Sequence, residues 1–298
     1  MTITAAMVKE LREVSGAGMM DCKKALQEAD GNLETAIEHL RKSGIAKAAN
    51  KAGRTAAEGI VLIKENDNQV VLLEVNCETD FVENDKNFTD FSVAVADIIL
   101  QSDPKDLDEL RSCETNKGSV EEASSELSAK VGEKIDVRRF ILLDKKDGLA
   151  GTYIHGKRIG VVVLIDSGDR LAAKDVAMHV AATNPLAIDS NGIPERILEK
   201  EREIHRSQAN ETGKPPEIVE KMIFGRMKKF VAENTLLGQT FVKNNDLTVA
   251  KFLEESGVKV SAFYRYEVGE GIEKKTLDFA EEVAAQAQQS KKLEHPVS

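Results

Sequence analysis

The sequence predicts an α+β protein, and two observations lead to this prediction. Short β-branched runs alternate with segments of helical periodicity from residue 59 onward. In addition, one order of elements, two extended runs followed by a helix, occurs twice, about ninety positions apart. We therefore expect two related α+β core subdomains, with a three-helix N-terminal module, an inserted helical hairpin and a C-terminal helical tail attached to them.

Residues 1–54 are predicted to form the three-helix N-terminal module. Apolar residues recur at helical spacing in three segments, which begin near residues 8, 19 and 33. The third helix is expected to end near Ser43-Gly44, because glycine commonly follows the last helical residue. The alanine-rich, basic stretch 45–59 is then expected to be a linker.

Residues 55–143 are predicted to form the first core subdomain. The runs GIVLIKE and NQVVLLEVN are separated by Asn66-Asp67-Asn68, which is typical of a β-hairpin. Apolar residues from Phe88 to Ile99 then fall on one face of a helix that would cover the sheet. A further helix near 120–131 and a strand over 135–143 are expected to follow, the strand joining the two subdomains.

Residues 144–192 and 233–272 are predicted to form the second core subdomain. Two extended runs meet at Gly156-Lys157, and the helix that follows is stopped by Asn184-Pro185. The run VSAFYRYEV is expected to complete the second sheet.

Residues 193–232 are predicted to be an αα-hairpin inserted into the second subdomain. A charged helical run starts at Pro194, and a turn at 213–216 precedes a second helix. A hairpin of only two helices cannot bury its whole apolar stripe. We therefore expect it to pack on another chain or on the body of the protein. The alternative is an isolated spur held by its charges. Residues 273–298 are expected to be an alanine-rich helical tail that docks weakly.

The composition restricts the class of partner and the compartment. A net charge of -10 makes a polyanion such as nucleic acid a poor partner. The three cysteines form no C-x-x-C pair, which argues against a disulfide framework and a zinc site. Neither a membrane-spanning run nor a secretory signal is evident, so we expect a cytoplasmic protein without membrane contact.

The search for catalytic motifs gives no candidate enzyme. The segment Gly151–Lys157 has the spacing of a phosphate-binding loop, but Arg158 stands where a hydroxyl should meet magnesium. Its central residues are also strand formers, where a flexible loop is required. The five histidines are scattered, and a nucleophile motif is missing. We therefore expect no catalytic residue, no cofactor and no metal.

Three apolar residues have contexts that leave two interpretations open. Phe81 follows a predicted strand and precedes a charged stretch, so it is a candidate for an exposed loop tip or for the core beneath its own helix. Met19 and Met20 belong to the core of the small module or to an adaptable contact surface.

Several motifs, in order along the chain, resemble the elongation factor Ts family. They are VKELREVSGAGMMDCKKA, LEVNCETDFV, YIHGKRIGVVV, EKMIFGRMKKF and RYEVGEGIEK. The resemblance covers nearly the whole sequence. It implies a ubiquitin-associated-like N-terminal module, a coiled-coil hairpin for dimerisation, and a non-enzymatic exchange factor that acts on elongation factor Tu in its GDP-bound and nucleotide-free forms.

The resemblance also implies roles for individual residues. Arg12, Met19 and Met20 would contact the GTPase domain of elongation factor Tu. The tip formed by Thr79, Asp80, Phe81 and Val82 would be driven between helices beside the magnesium and phosphate site, and His155 would lie on the second half of the interface. Glu78 departs from a glutamine common in the family and makes the tip more acidic.

Two other classes of function remain as alternatives. The first is a chaperone-like adaptor, in which the N-terminal module captures a peptide helix. The second is a transferase that uses His155 or Cys77, for which the sequence nominates no substrate.

Overall fold

A computed structural model describes residues 3–116 and 118–273 of the chain. The expected C-terminal tail, 273–298, lies almost wholly outside these residues. The helices are α1 Ala5–Ser15, α2 Met19–Glu28, α3 Leu33–Lys51, α4 Asp80–Glu83, α5 Lys86–Ser102, α6 Leu107–Ser112, α7 Val120–Val131, α8 Arg170–Thr183, α9 Glu195–Asn210, α10 Pro216–Asn234 and α11 Val249–Ser256. The strands are β1 Glu58–Glu65, β2 Gln69–Cys77, β3 Glu114–Thr115, β4 Gly118–Ser119, β5 Asp136–Asp144, β6 Leu149–His155, β7 Ile159–Ser167, β8 Thr240–Phe241, β9 Asn244–Thr248 and β10 Lys259–Glu267. The protein is therefore a mixture of helix and sheet, as expected.

Two three-stranded antiparallel sheets form the centre of the molecule, and they repeat one strand order. The first has the order β1-β2-β5 and the second the order β10-β7-β6. In each sheet a hairpin comes first, a helix follows it, and a later strand pairs with the second strand of the hairpin. β5 is thus the third strand of the first sheet rather than a connection between the two subdomains.

The two sheets pack face to face. Val61, Val70 and Leu72 of the first sheet share a buried cluster with Ala150 and Val162 of the second. Helices α5 and α7 cover the outer face of the first sheet, and α8 and α11 cover that of the second. Because β2 is covered on both faces, all of its residues after the first are buried, and its apolar run shows little alternation.

A buried carboxylate joins the two sheets at one end of their interface. Glu74 of β2 has no exposed surface, and it accepts hydrogen bonds from Arg138 Nη1 at 2.8 Å and Arg139 Nε at 2.6 Å. It also accepts the backbone N–H of Gly269 at 2.8 Å, directly after β10. A buried charge with this many donors fixes the relative position of the elements that supply them.

The third helix of the N-terminal module extends beyond its expected end, so the predicted linker is wrong for residues 45–51. Helix α3 continues to Lys51, because the stretch is rich in alanine and Gly44 is tolerated inside it. It lies along α7, where Lys51 Nζ donates to the carbonyl of Ser128 at 2.9 Å and Arg41 pairs with Glu122.

The residues after α3 are also fixed in place. Lys134 Nζ donates to the carbonyls of Ala52 at 2.9 Å and Arg54 at 3.3 Å, and Ala56 and Ala57 are buried. The module with its core of Leu11 and Leu26 is therefore joined to the first subdomain by a continuous, ordered segment.

The inserted hairpin consists of α9 and α10, with the turn at the expected place. Ala209, Val219 and Ile223 form a small core between the two helices, whereas Phe224 is 73% exposed. The hairpin thus buries part of its apolar stripe by itself and leaves the rest at the surface. None of the helices within 3–116 and 118–273 is long and apolar enough to cross a membrane.

Candidate contact site at the Thr79–Val82 tip

The segment after β2 forms a single helical turn that projects from the first sheet. Thr79 is the N-cap of α4, and Asn84 ends the turn, with its Nδ2 donating to the carbonyl of Asp80 at 3.2 Å. Asp85 then caps α5 by accepting the N–H groups of Asn87 and Phe88. The tip is therefore held between a buried strand and a helix of the core.

Adjacent residues of the tip point in opposite directions. Val82 is 8% exposed and packs in the core cluster of the first subdomain, whereas Phe81 is 85% exposed. Asp80 is exposed too, and across the described ranges its carboxylate takes part in no hydrogen bond or ion pair. The interpretation of Phe81 as a core residue is therefore wrong. Phe81 is therefore a candidate contact residue for another macromolecule, because a few centrally placed residues, often aromatic, dominate the binding energy of protein interfaces.

Glu133 holds the start of the tip from the turn between α7 and β5. Its carboxylate accepts the backbone N–H groups of Glu78 at 3.1 Å and Thr79 at 2.9 Å, and the hydroxyl of Thr79 at 2.6 Å. In return, Glu78 Oε1 accepts the backbone N–H of Lys134 at 2.6 Å. Arg54 Nη1 lies 3.4 Å from the same oxygen. The extra charge of Glu78 is thus directed inward, away from Phe81.

Cys77 lies beneath the tip and is buried there. Its Sγ donates to the carbonyl of Thr79 at 3.1 Å. Burial, together with the nearby charges of Glu133, Glu83 and Glu58, raises the pKa of this thiol to about 12. The thiol therefore stays protonated near neutral pH, which argues against Cys77 as a nucleophile.

The turn between β6 and β7 lies beside the residues that follow the tip, and His155 is the last residue of β6 before this turn. Lys157 Nζ donates to Asn84 Oδ1 at 3.1 Å, and the carbonyl of Lys157 accepts the N–H of Val61 at 2.7 Å. His155 is exposed, with its Nδ1 at 3.2 Å from the hydroxyl of Tyr153. The structure thus brings the turn after His155 next to Asn84, which follows the Thr79–Val82 tip by two positions.

The segment with phosphate-loop spacing is not a phosphate loop. Residues 149–155 form strand β6, so their N–H groups follow a sheet rather than converge on an anion. The exclusion made from the sequence is confirmed.

Arg12, Met19 and Met20 lie on a separate surface of the N-terminal module. Met19 is 60% exposed and Met20 is 71% exposed, so their interpretation as core residues is wrong. They line a groove of about 390 Å³ with residues of α1 and α2 and of the segment before α1. The groove also contains Ile3, Thr4, Ala5, Val8, Lys9 and Lys23.

The residues that support the tip are not evident from the sequence. Glu133 and Lys157 make their contacts with residues far away in the sequence, so local patterns carry no sign of them. Only Gly132, which ends α7 with φ of 83°, marks the turn in which Glu133 lies.

Comparison with known proteins identifies the class of this chain. The model of the family described as "Elongation factor TS" matches residues 78–270. Elongation factor Ts of Thioalkalivibrio sulfidiphilus is 56% identical over 290 residues, which cover 96% of this chain and 99% of that protein. Those of Alkalilimnicola ehrlichii and Methylococcus capsulatus are 51% and 50% identical, over 97% of this chain and 100% of their own lengths.

These findings define a translation elongation factor. More specifically, the chain belongs to the elongation factor Ts family.

Proposed function

We propose that this protein is a guanine-nucleotide exchange factor that binds elongation factor Tu with GDP and opens its magnesium and phosphate site. GDP then leaves and GTP can bind during translation elongation. The observation that carries this proposal is Phe81, an aromatic residue exposed at the end of a firmly held turn. Such a group is a wedge that fills a gap between two helices of a partner without losing contacts of its own.

The proposed mechanism depends on a difference in the affinity of this protein for two forms of its partner, with and without nucleotide. No covalent bond is made or broken. A GTPase that binds nucleotide with nanomolar affinity has about 12 kcal/mol of binding free energy, so spontaneous release is slow. A partner that binds the nucleotide-free form more tightly weakens nucleotide binding by the same factor. The tip would displace the helices that hold magnesium and disturb the N–H groups around the phosphates. The protein would then be no enzyme.

Two further surfaces would complete the interface. The groove with Arg12, Met19 and Met20 offers flexible methionine side chains to the GTPase domain, and His155 extends the surface beside the tip. Thr79 and Val82 anchor Asp80 and Phe81 from below. The net charge of -10 supports a protein partner rather than nucleic acid, and the family supports action in the cytoplasm.

The two helical appendages also have proposed roles. The three helices α1 to α3 would be a ubiquitin-associated-like module. The hairpin of α9 and α10 would be an antiparallel coiled coil through which two copies associate. Phe224, exposed on α10, supports this proposal.

Stopped-flow release of a fluorescent GDP from elongation factor Tu tests the proposal. We expect release to accelerate when this protein is added, whereas unchanged release contradicts the function. A pull-down tests the adaptor alternative. An exchange factor enriches one GTPase and loses it on addition of GDP with magnesium, whereas an adaptor keeps its partners under these conditions.

A further inference from the structure

We propose that Glu133 is a positioning residue for nucleotide release, which acts by holding the tip so that Phe81 projects in one direction. This inference rests on the proposed function and assigns a role to a residue outside the tip.

The first support is the set of donors that Glu133 collects. Its two carboxylate oxygens accept the N–H groups of Glu78 and Thr79 and the hydroxyl of Thr79. Hydrogen bonds to an ionised acceptor are stronger than neutral ones. Three of them at two consecutive residues fix the backbone where strand β2 turns into α4.

The second support is the capping geometry of α4. Thr79 occupies the N-cap position, but its side chain makes no capping hydrogen bond to α4 and donates instead to Glu133. A helix of four residues has little stability of its own, because nucleation of a helix is unfavourable. The direction of Phe81 is therefore set by contacts from outside the turn.

The third support is the rigidity of the segment that carries Glu133. Helix α7 ends at Gly132, Ser128 Oγ donates to the carbonyl of Glu133 at 2.6 Å, and Glu78 accepts the N–H of Lys134. Each of the two segments thus accepts N–H groups of the other. Because of these mutual hydrogen bonds, the position of the tip is determined by the position of α7.

The test is a double-mutant cycle in the full chain with Glu133→Ala and Phe81→Ala, read by release of fluorescent GDP from the GTPase. We expect Glu133→Ala alone to slow release about tenfold, because displacement of a positioned group by about 1 Å can cost up to about 100-fold in rate. In the Phe81→Ala background the same change should alter release less than about twofold, because residues that act through one another are not additive.

Two matched variants separate positioning from general destabilisation. Asp106→Ala removes a carboxylate that accepts two backbone N–H groups at the start of α6, and it should leave release unchanged. Glu133→Gln keeps one acceptor oxygen for the backbone N–H groups and replaces the other with an NH2 group that can donate to the Thr79 hydroxyl. This variant should therefore retain most of the rate. If Glu133→Ala does not fold, Thr79→Val removes the shortest of the three hydrogen bonds and enters the same cycle.

The outcomes distinguish this inference from the proposed function. If GDP release is slow with Phe81→Ala but unchanged with Glu133→Ala, only the role of Glu133 is overturned, and the proposed function stands. An equal slowing by Glu133→Ala with and without Phe81 overturns it as well, because Glu133 then acts independently of the wedge. Unchanged release by Phe81→Ala overturns the proposed function and this inference with it.

Discussion

The substitution Phe81→Ala should slow GDP release strongly and leave the protein almost as stable as before. Because Phe81 is 85% exposed, only about 15% of its surface is covered in the free protein. Truncation of a fully buried phenylalanine costs about 3–5 kcal/mol. Scaled by the covered fraction, the loss here is about 0.5 kcal/mol, which corresponds to a decrease in Tm of about 1–2 °C for a chain of this size.

The effect on the complex should be much larger. A central aromatic anchor commonly contributes about 2 kcal/mol or more to an interface, which corresponds to about 30-fold slower release. Stopped-flow fluorescence with GDP-loaded elongation factor Tu measures the rate, and thermal unfolding of the free protein measures the stability.

Two other phenylalanines serve as controls for the same chemical change. Phe88 is fully buried a short distance along the chain, so Phe88→Ala should lower stability by about 3–5 kcal/mol. Phe224 is exposed on the hairpin, so Phe224→Ala should leave the rate of release unchanged. Normal release by Phe81→Ala, or a loss of stability as large as that of Phe88→Ala, would refute the reasoning.

Three further predictions concern other parts of the molecule. Met19→Ala with Met20→Ala should weaken binding to elongation factor Tu about tenfold without lowering Tm, because both side chains are exposed; calorimetric titration measures this, and unchanged affinity contradicts the groove as a contact surface. Phe224→Asp should shift any self-association toward monomer in sedimentation, because a charge replaces an exposed apolar group. If the unchanged protein associates and the variant has the same mass distribution, α10 does not mediate the association. Burial lowers the pKa of His179 below its ordinary 6.5, so its neutral form stabilises the fold above about pH 6.5 and this contribution is lost as the pH falls toward the folded-state pKa. His179→Gln should therefore reduce the loss of Tm between pH 7.5 and 5.5, and an equal loss in both proteins contradicts it.

The hairpins and their covering helices could be predicted because their signals are local. The apolar alternation and turn residues around Asn66–Asn68 fix β1 and β2, and the helical period from Phe88 fixes α5. The end of α3 could not be predicted in the same way. Its last residues have few large apolar side chains, and they are stabilised by contacts with α7 about eighty positions away.

The candidate site shows the same limit. The sequence marks Phe81 as unusual, but a single turn between a strand and a helix has no period from which its direction follows. The structure gives that direction because Val82 points into the core and Glu133 holds Thr79. Contacts of this kind depend on tertiary packing, so they appear only once the chain is folded.

The continuous path from α3 through residues 52–57 to the first sheet has a consequence for the kinetics of association. A flexible tether between two contact surfaces gives the second contact an effective concentration that falls as the tether lengthens. In this protein Lys134 binds the carbonyls of Ala52 and Arg54 and, through its backbone, the side chain of Glu78 at the tip. If a partner occupies the groove of the N-terminal module as proposed, Phe81 would therefore already be in a fixed place relative to that partner, and its insertion would require no search.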